Sequence, residues 1–114
     1  MTKVHAVRGE GATETAPIAA DRLVEGAPAA TTRLDYERDG KSYAGEWSAG
    51  VGAWRVGYDE YEFCHVLDGA CELIPDDGAP QRYEAGDSFV IEPGFKGVWR
   101  VLAPMKKRFF IRYD

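Results

Sequence analysis

The sequence predicts an all-β domain, a sandwich or barrel built from short strands. Three observations carry that prediction. Thirteen Gly and six Pro punctuate 114 residues, and turn dipeptides recur at spacings of about 8–12 residues between aromatic and β-branched runs. From Thr31 onward, no window of ten or more residues holds an apolar stripe of helical period without a Gly or Pro interrupting it. The length suits one domain rather than two.

The aromatics divide the chain. All fourteen fall between Tyr36 and Tyr113, and the first 31 residues carry eight Ala instead. Such a segment buries too little surface to offset its ordering entropy alone. Residues 1–31 therefore read as an N-terminal arm with a mobile tip. Its stretch Ile18-Ala-Ala-Asp-Arg-Leu-Val24 suits one helical turn or an edge strand, docked on the body or exchanged with a second subunit. Residues 32–114 form the barrel domain. A body of about 80 residues is marginally buried as a monomer, which predicts a homodimer.

Within the body, Glu37-Arg-Asp39-Gly40-Lys41 separates the runs around Tyr36 and Tyr43, and Ser48-Ala-Gly50 separates Trp47 from Val51. Asp68-Gly69 lies between Phe63-Cys-His-Val-Leu67 and Ala70-Cys-Glu-Leu-Ile74 and predicts a tight hairpin. Asp76-Asp77-Gly78 and Pro93-Gly94 mark two more turns.

The net charge of −5 lacks the basic footprint that nucleic acid or an anionic membrane surface requires. No apolar run approaches the roughly 20 residues of a transmembrane helix. The opening Met1-Thr2-Lys3-Val4-His5 leads into Gly, Glu and Thr rather than an apolar stretch, so the expected location is cytoplasmic. Charge is also partitioned. Residues 57–95 hold ten acids against Arg82 alone, and residues 96–114 hold six bases against Asp114 alone. Antiparallel neighbours of opposite sign favour their own pairing; the alternative role for Lys106-Lys107-Arg108 is an anion site.

If Asp68-Gly69 is a two-residue loop, Val66 faces Cys71 and Cys64 faces Leu73. The thiols are then diagonal, poor disulfide geometry, and both are expected reduced and buried. Without a Cys-x-x-Cys, and with only His5 and His65, a zinc site is disfavoured. His65 reads as structural. No phosphate-cradling Gly loop or Gly-x-Ser-x-Gly elbow occurs.

Two longer segments sharpen the assignment. Trp54-Arg-Val-Gly-Tyr-Asp-Glu-Tyr-Glu-Phe-Cys-His-Val-Leu-Asp-Gly69 and Gly86-Asp-Ser-Phe-Val-Ile-Glu-Pro-Gly-Phe-Lys-Gly-Val-Trp99 resemble the paired signature motifs of the cupins. The nearest likeness is to the branch that includes ureidoglycine aminohydrolase and the ethanolamine-utilisation cupins. Gly50, Glu62 and Gly69 fall in the frame of the first motif, and Gly86 and Gly94 in that of the second. The resemblance implies a double-stranded β-helix, the jelly-roll barrel. It also implies a metal held from the positions of Val56, Tyr58, Glu62 and Gly97. Only Glu62 of these is a good ligand, and one carboxylate does not enclose a transition metal, so no metal or other cofactor is expected.

Strand alternation places Trp54, Val56, Tyr58, Glu62 and Cys64 on one face, with Trp99 and Val101 facing them if that face is the barrel interior. Trp54, Tyr58, Glu62 and Trp99 are the candidate ligand-binding residues, suited to a small nitrogenous or sugar-like metabolite. Three functions remain open. One is metal-free binding of such a metabolite. Another is an enzyme of ureidoglycine aminohydrolase-like type acting on an amine or ureido substrate, with Glu62 as proton-transfer group. The third is an interaction module whose barrel is filled by its own side chains. In a purely structural role, Glu62 would be neutralised by Arg55, Arg100 or a Tyr hydroxyl.

Overall fold

Nine strands make up the regular structure of residues 3–114, which a computed structural model describes. They are β1 (Ala12–Pro17), β2 (Leu23–Glu25), β3 (Ala29–Arg38), β4 (Ser42–Ala49), β5 (Gly52–Gly57), β6 (Tyr61–Pro75), β7 (Gln81–Glu84), β8 (Ser88–Ile91) and β9 (Lys96–Arg112). The fold is all-β, as the turn spacing predicts. Among the described residues no helix is long and apolar enough to cross a membrane.

Two long strands organise everything else. The first half of β9 lies between β5 and the second half of β6, while its second half lies between β4 and the first half of β6. One layer therefore reads β1-β3-β4-β9-β6-β8 and the other β2-β5-β9-β6-β7. The two layers close as a jelly roll, because β6 and β9 pass from one to the other. Their inward faces supply most of the core: Cys64, Val66, Cys71 and Leu73 from β6, and Trp99, Val101 and Met105 from β9. The charge partition finds its partner here, since the acidic β6 pairs with the basic β9. Arg100 lies 3.7 Å from Glu72, and Lys107 lies 2.7 Å from Glu62.

Asp68-Gly69 is not the hairpin that its dipeptide predicts. β6 runs straight through it, and the register with β9 shifts between Val66 and Cys71. Gly69 has φ +80°, and a Cβ on it would come within 2.1 Å of the Pro104 carbonyl oxygen. Positive φ and close backbone approach are what a bulge demands when a strand must turn a barrel corner. The regular rhythm of short strands is corrected with it, since β6 and β9 have 15 and 17 residues. Cys64 and Cys71 consequently lie along one strand, opposite Phe109 and Val101 of β9. Both thiols are free and buried. Burial pushes Cys64 up to about 12 and Cys71 up to about 11.

The β3–β4 turn matches its prediction. Asp39 and Gly40 both take positive φ, 56° and 65°, and the Lys41 N–H closes the turn on the Arg38 carbonyl at 3.0 Å. Within the arm, β1 pairs with β3. The Ile18–Val24 stretch makes a turn at Ala19–Arg22 and then enters the edge strand β2 beside β5. His5 packs on Tyr36 with ring centroids 5.1 Å apart. The arm's extreme tip, residues 1 and 2, lies outside the described residues.

Candidate functional site

Alternation on β5 turns Trp54 and Val56 inward, and Tyr58 continues that face just beyond the strand. The Tyr58 backbone is pinned by the turn at Pro93-Gly94: its N–H donates to the Phe95 carbonyl at 2.9 Å, and its carbonyl accepts from the Gly94 N–H at 2.7 Å. This clamp sets the phenol against β6. Glu62 stands there between the outward Tyr61 and Phe63, and only 4% of it is exposed. The Tyr58 hydroxyl donates to Glu62 Oε1 at 2.8 Å.

The other carboxylate oxygen meets Lys107, which the sequence places only in the basic run Lys106-Lys107-Arg108. Lys107 Nζ donates to Glu62 Oε2 at 2.7 Å and to Cys64 Sγ at 3.5 Å. The same ammonium sits over two indoles, 4.3 Å from the Trp99 ring centroid and 4.8 Å from that of Trp47. Burial by itself would depress the Lys107 pKa. Glu62 and Cys64 together outweigh burial and raise it, so Lys107 keeps its charge. Cation–π contact with two indoles adds attraction that desolvation strengthens.

These groups line a cavity of about 340 Å³. Trp47, Trp54 and Trp99 wall it, and Tyr58, Glu62 and Lys107 are among its polar lining, with Thr32 and Glu60. Ile18 and Arg22 from the arm complete one side. The four predicted residues, Trp54, Tyr58, Glu62 and Trp99, thus all border one cavity. Arg55 and Arg100 do not reach Glu62: Arg55 pairs with Asp76 at 2.8 Å, and Arg100 with Glu25 and Glu72. The Tyr hydroxyl anticipated as a neutralising partner is that of Tyr58, but the charge comes from Lys107. Lys106 and Arg108 point outward on either side of it, so the basic triplet does not form a single anion patch. Trp47 is the other wall that the sequence reading omits.

The fold agrees with the comparisons. A family model described as the EutQ-like cupin domain matches residues 36–109. The chain belongs to the EutQ-like cupin domain family. Among solved structures, a DUF861-family protein of unknown function from Pseudomonas syringae pv. tomato superposes with a TM-score of 0.80 at 13% identity, over 92% of this chain and 46% of that one. The EutQ protein of Clostridium difficile follows with a TM-score of 0.68 at 17% identity, over 76% of this chain and 65% of that one. A DUF861-family protein from Thermotoga maritima is 31% identical over 56% of this chain and 73% of that one, with a TM-score of 0.55. This EutQ-like cupin therefore spans less than half of the Pseudomonas chain and about two thirds of EutQ. Among curated proteins, none matches it significantly in sequence.

The cupin metal positions can be tested against this geometry. Val56 and Gly97 are cross-strand partners and offer no donor side chain. Tyr58 spends its hydroxyl on Glu62, and Glu62 binds the Lys107 ammonium. Among the described residues no group of three or more His, Cys, Asp or Glu is placed to hold an ion. A transition metal does not fit this donor set, because a cation brought to Glu62 would meet the ammonium already there.

Proposed function

We propose that this cupin binds a small polar metabolite, nitrogenous or sugar-like, in its barrel without a metal. The observation that carries the reading is the buried Lys107–Glu62–Tyr58 array bordering a tryptophan-walled cavity. A buried ion pair is weak as a source of stability, whereas paired charges in an aromatic cavity orient a small polar ligand.

Catalysis on an amine or ureido substrate is the second reading, with Glu62 relaying a proton. The hydrogen bond from Tyr58 gives it a proton donor in place. Against it, both Glu62 oxygens are already engaged, one by the Tyr58 hydroxyl and the other by the Lys107 ammonium.

All three tryptophans of the chain line the cavity, so intrinsic fluorescence reads its occupancy. Titration of wild type and Glu62→Gln with amines, ureido compounds and sugars is the test. A saturable emission change lost in Glu62→Gln, without turnover, supports binding. Turnover abolished by Glu62→Gln moves the assignment to the enzyme. No response to any compound counts against both readings.

A further inference from the structure

The outer face of the β8-β6-β9 layer carries an apolar strip. Val90, Phe63 and Phe110 are cross-strand neighbours in one row, and they are 58%, 47% and 41% exposed. The rows on either side are charged at their ends. Toward one end of the strands, Tyr61 has Arg112 beside it on β9, and Glu92, one step past the Glu62–Ile91 pair, on its β8 side. Toward the other end, His65 lies between Ser88 and Arg108. The β9 edge of the patch is thus basic and its β8 edge carries the acid.

We infer that this face binds a second copy of the chain, packed sheet on sheet about a two-fold axis parallel to β6. Such an axis maps β9 of one copy onto β8 of the other. Phe63 meets Phe63 on the axis, Phe110 meets Val90, and Arg112 meets Glu92. A two-fold interface must match its own surface patch, and this operator satisfies apolar and charged positions together. The other face-to-face choice, a two-fold axis perpendicular to the strands, lays Arg112 on Arg108 and opposes like charges. Charge complementarity therefore selects both the partner and the orientation. Aligned packing of two sheets is the common geometry for strand faces of this kind, and a body this small gains burial from it.

Sedimentation velocity of the full chain across a concentration series is the test, with the mass of one chain being 12.6 kDa. Wild type is expected to sediment as a dimer. Phe63→Glu places two carboxylates on the axis and should yield monomer with an unchanged far-ultraviolet spectrum. Arg112→Glu and Glu92→Arg should each weaken the dimer by about tenfold or more, because each opposes like charges. The double exchange, Arg112→Glu with Glu92→Arg, should restore it whether or not Phe63→Glu folds. His65→Cys should give a dimer linked at the axis on oxidation, since the native thiols are buried. A monomeric wild type, a dimer tightened by Arg112→Glu, or a double exchange that fails to restore association would overturn the inference.

Discussion

Replacing Lys107 with Met removes one half of an ion pair whose two members are each 4% exposed. The methionine fills similar space between Trp47 and Trp99, so little of the loss comes from packing. What remains is a carboxylate on Glu62 with a single hydroxyl donor and almost no water. Stranding one member of a buried pair costs about 3–5 kcal/mol. With an unfolding entropy of about 2.1 cal/mol/K per residue, a chain of this length loses about 4 °C of melting temperature per kcal/mol, hence about 12–20 °C. Adding Glu62→Gln removes the stranded charge and keeps an acceptor for Tyr58, so the double variant should lie within about 1–2 kcal/mol of wild type. Urea denaturation of the four members of this cycle reads the coupling directly. If Lys107→Met costs less than about 1 kcal/mol, or the double variant is as unstable as the sum of the singles, the buried pair is not formed and the reasoning fails.

Three further outcomes follow from the same geometry. Lys107, Cys64 and Cys71 have raised pKa values in the folded protein. Their contribution is intact below the unfolded values and is lost as pH rises towards the folded ones. Stability should therefore hold up to the ordinary thiol value of 9.0 and decline as pH approaches 11 to 12; stability that rises over this window in an alkaline urea series contradicts the assignment. Gly69→Ala, with φ +80° and the Pro104 carbonyl in the way, should cost well over about 1 kcal/mol. The same change at Gly86, where φ is +97° and nothing lies within 4 Å, should cost less; equal midpoints for the two would refute the bulge. Prolonged chelator treatment should leave the melting temperature unchanged, and elemental analysis should find no stoichiometric manganese, iron or zinc. A chelator-sensitive stoichiometric metal would refute the steric and charge argument at Glu62.

Local chemistry made some of the fold legible and concealed the rest. Asp39-Gly40 and Asp68-Gly69 look alike in sequence, yet one closes a hairpin and the other bends a continuous strand. Both uses demand positive φ, and the choice between them depends on Ala103 and Pro104 more than thirty residues away. The inward face of residues 54–64 was readable, because alternation continues across the Tyr58-to-Tyr61 connection, where the Gly94 and Phe95 backbone holds it. Lys107 was hidden by its neighbours Lys106 and Arg108, since a run of three bases does not mark which one turns inward. The usable signal lay two residues to either side, since Met105 and Phe109 are both buried and share its face. The pairing of β1 was not legible, because this strand is exposed along its whole length and its sequence carries no apolar face.

The proposal stands or falls on Glu62 pairing with Lys107 rather than with a metal, and on the cavity binding its ligand without an ion. Tryptophan fluorescence of chelator-treated protein, titrated with the metabolite panel before and after addition of manganese, iron or zinc, tests it most directly. The expected result is a saturable emission change in the metal-free protein, unaltered by added metal and lost in Glu62→Gln. Saturable binding that appears only once a metal has been added would contradict it.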